Sequence, residues 1–233
     1  MEQAPCISHI ASLLAEPKRT AMLWALMDGS AKSSEELATL AGLSPASANA
    51  HLARLTGSGL LRVEARRGKR LFRVAAADVS AAIDALATTT MASVGRSTRD
   101  AQPPALAAPP LLRRARLCRD HLGGELAAGL YQRMTEAGWI QRYEQRTEVT
   151  VKGTRHLAEL GIFIQAFSSP LVCDCFDWSQ QQPHVGGALG AGLLQLFLQS
   201  SWVSAIDESQ ALSVSDAGVM EINRLVTVQE RRS

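Results

Sequence analysis

The chain has 233 residues, of which 46% are hydrophobic and 20% are charged. These proportions are ordinary for a folded protein with a buried core, and they exclude a chain that is disordered throughout. The net charge of +2 is too small to indicate a partner by itself. No apolar run is long enough to cross a bilayer and no secretory signal pattern occurs, so we expect a cytoplasmic protein without a membrane partner.

Three helices are predicted at the start of the chain. Residues 7–14 carry apolar side chains at helical spacing and predict the first. A second is predicted over 17–27, since it begins with a proline, which suits the first helical position. Ser33 with Glu36 three residues later forms a capping-box pattern, which predicts a third helix over about 34–41.

A fourth helix and a hairpin are predicted next. A serine N-cap followed by proline predicts a helix over about 44–56. Residues 60–64 and 71–74 then alternate in the manner of strands around a turn at 67–69. This order is typical of a winged helix-turn-helix, in which 34–41 is the positioning helix, the fourth helix is the recognition helix and the hairpin is the wing.

Two sets of side chains are predicted to contact a DNA duplex. The recognition helix would place hydrogen-bonding side chains against base edges in the major groove. These residues are Ser44, Ser47, Asn49, His51 and Arg54. The wing would contact phosphates or enter the minor groove. These residues are Arg66, Arg67, Lys69 and Arg70.

The charge of the wing favours DNA over other partners. Residues 62–73 contain six basic side chains against the single Glu64, a concentration that is difficult to explain as a neutral surface. The alternative is a winged helix that binds another protein, with the wing as a solvated charged turn.

The domain organisation follows from composition. A helix over about 78–91 is predicted after the wing, and residues 95–110 are rich in proline, alanine and polar residues, which indicates a linker. We therefore expect a winged helix-turn-helix DNA-binding domain over 1–94 and an effector or sensor domain over 111–233. The expected fold class is mainly α with small β-hairpins, an α+β arrangement.

The second half contains an internal repeat. HLGGELAAGLYQ at 121–132 matches HVGGALGAGLLQ at 184–195, 63 residues later, and the same offset superposes Trp139 on Trp202. The two copies span about 118–162 and 181–226. We expect each copy to form a helix, two short strands and a closing helix. Because glycine and alanine permit close helix approach, we expect the copies to pack about a pseudo-twofold axis.

Thiols and imidazoles flank both copies. His121 and His184 are repeat equivalents, so a pseudo-twofold axis could bring both to one site together with nearby thiols. The candidate metal or redox residues are Cys118, His121, Cys173, Cys175 and His184. Such groups bind zinc or softer metals, and adjacent thiols could instead bind a trivalent metalloid or form a redox disulfide. The structural alternative is that the histidines hydrogen-bond at helix starts and the cysteines are core residues.

A third possibility is an organic effector held between the two copies. The candidate pocket residues are Trp139, Tyr143, Trp178 and Trp202. The alternative is that Trp139 and Trp202 are matched core residues of the repeat.

Three short motifs within residues 7–75 resemble those of a known family. They are LAEPKR at 14–19, SANAHLARL at 47–55 and GLL at 59–61. This part of the chain resembles the ArsR family of bacterial winged-helix regulators. The resemblance implies a homodimer joined through the first helix and the helix after the wing. It also implies binding at a palindromic operator, with release of DNA when an inducer or oxidant is sensed.

The usual metal sites of that family are not intact in this sequence. Members that sense arsenic or cadmium carry paired cysteines on the positioning helix, where this chain has SSEELATLAG at 33–42. Zinc-sensing members carry histidines and carboxylates after the wing, where this chain offers only Asp78 and Asp84. We therefore expect any sensor to lie in the C-terminal half.

The sequence as a whole predicts a sequence-specific transcriptional regulator that binds double-stranded DNA. We expect a repressor released by a metal, metalloid or thiol-reactive inducer, with a soft or borderline ion bound by cysteine and histidine. A regulator that responds to a small organic effector is the alternative. An enzyme with a winged-helix appendage is disfavoured, because the sequence lacks the G-x-S-x-G, phosphate-loop, H-E-x-x-H and Rossmann patterns. We therefore predict no enzymatic activity.

Overall fold

Two compact units make up the chain. The computed structural model describes residues 7–66, 68–97, 109–143, 146–167 and 171–226. The first unit comprises the residues up to Ala82 together with Ile206–Gln210, and the second comprises the remainder. The expected α+β class, with a winged helix-turn-helix in the first unit, is confirmed. In the part of the chain described here, no helix combines the length and apolar character needed to cross a membrane.

Before the wing, the described residues of the first unit form four helices in the predicted order. They are α1 (Ile7–Leu14), α2 (Pro17–Ala25), α3 (Ser34–Ala41) and α4 (Pro45–Gly57). The predicted capping box begins α3: the Ser33 hydroxyl accepts from the Glu36 N–H at 3.2 Å, and the Glu36 carboxylate accepts from the Ser33 N–H at 2.7 Å. The Ser44 hydroxyl caps α4 by accepting from the Ser47 N–H at 3.3 Å.

Three antiparallel strands complete the winged helix. They are β1 (Lys32–Ser33), β2 (Leu61–Arg66) and β3 (Lys69–Val74), in the spatial order β1, β3, β2. The predicted wing is formed by β2 and β3, which extend further toward the turn than the alternation suggested. The sequence did not predict β1, because two residues are too short to show alternation.

The segment after the wing is helical. The helix α5 (Ala77–Ser97) continues past residue 94, where the first domain was expected to end, and α6 (Pro110–Arg114) begins at the expected end of the linker. Residues 98–108 of that linker lie outside the described part of the chain. The domain division at 94 and 111 stays a prediction.

The second unit contains the same order of elements twice. The first copy comprises β4 (Arg116–Cys118), β5 (His121–Gly123), α7 (Glu125–Glu136), β6 (Ile140–Tyr143), β7 (Arg146–Val149) and α8 (Val151–Glu159). The second comprises β8 (Cys173–Asp177), β9 (Gln182–Gly186), α9 (Gly187–Gln199), β10 (Val203–Ala205), β11 (Leu212–Val214) and α10 (Asp216–Arg224). Each copy thus begins with a hairpin that the sequence did not predict. His121 and His184 therefore lie on strands and not at helix starts.

The two copies exchange their packing partners. The helix α7 packs against β9 of the other copy, α9 packs against β5, and β5 lies beside β9. A single buried core results, which contains Leu130 and Trp139 from the first copy and Leu193 and Phe197 from the second. Neither copy could bury its apolar face alone.

Two glycines mark the same close approach in both copies. A Cβ on Gly153, in α8, would lie 2.0 Å from the carbonyl oxygen of Trp139, and one on Gly218, in α10, would lie 2.2 Å from that of Trp202. Each carbonyl also accepts the N–H of the residue that caps the helix, at 3.0 Å from Thr150 and 3.1 Å from Ser215. The carbonyls are therefore held in place and could not make room for a side chain.

Substitution of either glycine should destabilise the second unit. We expect Gly153→Ala and Gly218→Ala each to lower the free energy of unfolding by about 1–3 kcal/mol, as overpacking does. Gly129→Ala in α7 is the matched control, because its Cβ would meet only the end of the Arg133 side chain. It should be neutral or slightly stabilising. Urea denaturation of the full chain measures all three, and equal effects would contradict the repeated close approach.

Candidate nucleic-acid interface and cysteine–histidine cluster

One face of α4 is buried and the opposite face is open. Ala48, Leu52 and Leu55 have no exposed surface and anchor the helix in the first unit. Four of the predicted DNA-contacting side chains are exposed. They are Ser44, Ser47, Asn49 and Arg54. This arrangement presents polar side chains on a helix that the buried positions hold rigidly.

The fifth predicted residue of the recognition helix lies differently. His51 is half-buried, and its Nδ1 lies 3.7 Å from a carboxylate oxygen of Glu16, the residue that caps α2. The imidazole thus lies beside the residue that begins α2. A base contact by His51 stays a prediction, and the geometry gives this residue a contact within the first unit.

The positive charge at the base of the wing is neutralised. Arg62 contacts Glu64 at 3.1 Å, and Arg73 contacts Glu208, in the segment 206–210 of the first unit, at 3.1 Å. Arg62 also contacts Glu208 directly. Arg62 and Arg73 are therefore ion-paired within the protein, while the exposed Arg66 lies 4.0 Å from Glu64.

The tip of the wing keeps its charge open. Arg66, Lys69 and Arg70 are exposed, and the Arg70 guanidinium lies 5.9 Å from the centre of the Phe72 ring. Arg67, also predicted to contact DNA, lies outside the described residues. The solvent-exposed positive charge of the wing is thus at its tip, where it could contact a phosphate backbone.

Four side chains of the second unit form a buried cluster, which we call the Cys–His cluster. It consists of Cys118, His121, Cys175 and His184, whose potential ligand atoms all lie within 4.8 Å of one another. Cys118 pairs across the first hairpin with His121, and Cys175 pairs across the second hairpin with His184. The fifth candidate, Cys173, is exposed opposite Gly186 and is not part of the cluster.

Short contacts connect the four side chains. The two sulfur atoms lie 3.7 Å apart, and the Nε2 atoms of His121 and His184 lie 3.1 Å apart. The contact with Cys175, together with burial, raises the pKa of the Cys118 thiol to about 11, and the same contact lowers the pKa of Cys175. Burial disfavours the charged form of His121, but Cys118 and Asp120 outweigh it and raise its pKa. The arrangement could hold a metal ion or bring two thiols together for oxidation.

A buried arginine lies next to the cluster. Arg116 has no exposed surface and contacts Asp84 of α5 and Asp177 of β8, each at 2.9 Å. Its guanidinium stacks 4.3 Å from the ring of Trp178, whose indole N–H donates to Asp84 at 2.7 Å. Asp177 in turn lies 4.0 Å from Nδ1 of His184. The arginine therefore connects α5 to the edge of the cluster.

Comparison with known proteins decides the family. A family described as a helix-turn-helix domain matches residues 14–64. Over 232 residues the chain is 30% identical to the HTH-type transcriptional regulator YdfF of Bacillus subtilis, covering 97% of this chain and 99% of that protein. The chain belongs to the HTH-type transcriptional regulators. Its first unit is the DNA-binding winged helix-turn-helix, and the match to YdfF extends over the second unit as well.

Solved structures match only part of the chain. A crystal structure of a predicted DNA-binding transcriptional regulator from E. coli is 28% identical, covering 34% of this chain and 83% of that one, with a TM-score of 0.30. The winged helix-turn-helix domain of Mb0332 from Mycobacterium bovis is 21% identical, covering 42% of this chain and 87% of that one, with a TM-score of 0.35.

The predicted effector-pocket residues are spread between core and surface. Trp139 and Trp178 are 2% and 4% exposed, Trp202 is half-buried beside Phe197 in the core, and Tyr143 is exposed. The structure therefore places the matched tryptophans in packing positions. An organic effector bound by these residues stays a prediction.

Sequence reasoning missed two residues that support the cluster. Asp120 accepts a hydrogen bond from Nδ1 of His121 at 2.9 Å, and Arg116 positions Asp177 behind His184. Asp120 occupies a turn of two residues between very short strands, so no periodic pattern marked it. The only signal for Arg116 was its position two residues before Cys118.

Loss of the buried arginine should be far more costly than loss of a surface arginine. Arg116→Met leaves Asp84 and Asp177 buried without their cation, and we expect a loss of about 3–5 kcal/mol in the free energy of unfolding. Arg113→Met is the matched control, because Arg113 forms an exposed pair with Glu125 and should cost at most about 1 kcal/mol. Urea denaturation of the full chain, followed by tryptophan fluorescence, gives the free energy of unfolding of both variants. If the two variants lost similar free energies of unfolding, the buried ion pairs of Arg116 would not be important for the stability of the second unit.

Proposed function

We propose that this protein is a homodimeric, sequence-specific repressor that is released from DNA by a metal or thiol-reactive inducer detected in its second unit. The observation that carries the DNA-binding part is the exposed polar face of α4 beside the open charge at the wing tip. Hydrogen-bonding side chains on a rigid helix suit the major groove, and exposed arginine and lysine on a hairpin suit phosphates.

The homodimer is supported by the exposure of α1. This helix has the sequence ISHIASLL, yet Leu13 is its only buried residue, and Ile7 is 89% exposed. A second copy of the chain would cover such an apolar helix, in agreement with the resemblance to dimeric winged-helix regulators. A dimer also suits a palindromic operator, because twofold symmetry in the protein matches twofold symmetry in the DNA.

Detection in the second unit is supported by the Cys–His cluster. Thiols and imidazoles react with or bind the soft and borderline ions and oxidants that such a regulator would detect. The first unit offers no equivalent among its described residues: α3 carries no cysteine, and the cysteines and histidines that converge all belong to the second unit.

Removing charge at the wing tip should weaken binding to every DNA sequence. With a duplex selected from a random library by the full chain, we expect Lys69→Ala/Arg70→Ala to lower the affinity and to reduce the slope of log K against log salt by about two. Mobility-shift titrations over a salt series measure this slope, and the same titrations should give two chains per duplex.

A charge-matched control separates the wing from net charge. Lys152→Ala/Arg155→Ala removes the same charge from exposed positions in α8, and its salt dependence should equal that of the wild type. If both double variants changed the slope equally, the wing would not be the phosphate contact.

Substitution on α4 should act on sequence preference instead. Asn49→Ala removes a side chain suited to base edges, so we expect discrimination at one position of each half-site to fall by about 1–3 kcal/mol with little change in salt slope. Competition between the selected duplex and its single-base variants measures the discrimination. Uniform weakening across all the duplexes would contradict a base contact at this residue.

A further inference from the structure

The Cys–His cluster is assembled from equivalent parts of the two copies. Each hairpin contributes one cysteine and one histidine that face each other across its two strands: Cys118 and His121 in the first, Cys175 and His184 in the second. Since β5 lies beside β9, the two pairs come together where the copies meet. Neither copy alone has more than two of the four groups.

The distances suit a tetrahedral ion. Around Zn²⁺ with Zn–S bonds of about 2.3 Å and Zn–N bonds of about 2.0 Å, two sulfurs lie about 3.8 Å apart and two nitrogens about 3.3 Å apart. In this protein the sulfurs of Cys118 and Cys175 are 3.7 Å apart, and the Nε2 atoms of His121 and His184 are 3.1 Å apart. These two separations match those around one tetrahedral ion, and all four potential ligand atoms lie within 4.8 Å of one another.

The histidines present the correct nitrogen. Nδ1 of His121 lies 2.9 Å from an oxygen of Asp120, and Nδ1 of His184 lies 4.0 Å from an oxygen of Asp177. The hydrogen bond to Asp120 places the proton of His121 on Nδ1, which leaves the Nε2 lone pair of that ring free for a metal. The two Nε2 atoms face each other at 3.1 Å, a separation that suits one cation bound by both nitrogens.

The same features distinguish a metal site from a redox pair of thiols. A redox pair of thiols has no use for two converging imidazoles, one of which is hydrogen-bonded to a carboxylate. The cluster is also closed: Cys118, His121, Cys175 and His184 are 1%, 2%, 8% and 0% exposed. A closed shell of four protein ligands is typical of zinc sites that stabilise structure and leave no position for a substrate.

We infer that Cys118, His121, Cys175 and His184 bind one Zn²⁺ ion, or a divalent ion of the same tetrahedral, borderline-soft class, between the two copies. This assignment rests on the proposed function in one respect, namely that the second unit is the detecting unit. It goes further by naming the ion and excluding Cys173. A bound ion would join the two hairpins. Asp177 and Arg116 would then connect the ion site to Asp84 on α5.

Cobalt provides the first test. The full chain, reduced and stripped of metal by a chelator, is titrated with Co²⁺ and then with Zn²⁺. We expect one Co²⁺ per chain with the intense visible bands of tetrahedral cobalt and near-ultraviolet bands from thiolate charge transfer, all abolished by one equivalent of Zn²⁺. Absence of Co²⁺ uptake, or the pale spectrum of octahedral cobalt, would overturn the assignment. Because the test uses the wild-type protein, it does not depend on whether variants fold.

Variants identify the ligands. Cys118→Ser and His184→Gln should each lower Zn²⁺ affinity, measured against a chromophoric chelator, by more than the roughly 10–100-fold that loss of an outer-shell partner costs. Asp120→Asn should cost that smaller amount. Cys173→Ser, in the same hairpin as Cys175 but outside the cluster, should bind Zn²⁺ as the wild type does. Equal losses in Cys173→Ser and Cys118→Ser would contradict the ligand set.

Failure of the metal site can be distinguished from failure of the proposed DNA-binding function. The same preparations are assayed on the selected duplex with and without Zn²⁺. If DNA is bound and no metal is taken up, the site fails and the DNA-binding proposal stands. If Zn²⁺ binds tetrahedrally but leaves DNA affinity unchanged, the site stands and regulation by this ion fails.

Discussion

The second unit depends on how a fully buried guanidinium is neutralised. Arg116 has no exposed surface, and removing a charge from water is tolerated only when partners replace the lost hydration. Its partners come from distant parts of the chain, Asp84 on α5 and Asp177 on β8, and Trp178 covers the remaining face. Any shift of α5, β4 or β8 would leave a charge unpaired. The ion pairs therefore fix the relative positions of these three elements, and with them the hairpins that carry the Cys–His cluster.

Much of the first unit could be predicted because its signals are local. Ser33 and Glu36 cap α3 within a single turn, and a serine followed by a proline begins α4 where the sequence indicated. The charge of the wing was only partly predictable. Arg62 and Arg73 share Glu64 of the hairpin and also Glu208, which lies more than a hundred residues further along the chain. No pattern within the hairpin marks that pairing, so the sequence overstated the open charge.

The repeat was visible in the sequence, but the matching of the two cysteines was not. An offset of 63 residues relates His121 to His184 and would relate Cys118 to residue 181, which is a glutamine. In the structure, the partner of His184 across the hairpin is Cys175. The second hairpin has a longer turn than the first, so the strands match in space while the residue spacing does not. Strands of three to five residues also lack enough alternation to be recognised, which explains why both hairpins were missed.

One glycine of α9 lies next to a histidine of the cluster. A Cβ on Gly190, in α9, would lie 3.0 Å from the Cβ of His121 and 2.3 Å from the carbonyl oxygen of Val185. The equivalent position in α7 is Ala127, so this approach is closer than the repeat by itself requires. The carbonyl of Val185 belongs to the same copy as Gly190, whereas His121 belongs to the other copy. Glycine at this position therefore serves both the start of α9 and the approach of His121 to His184, so the packing of the repeat and the geometry of the cluster depend on one residue.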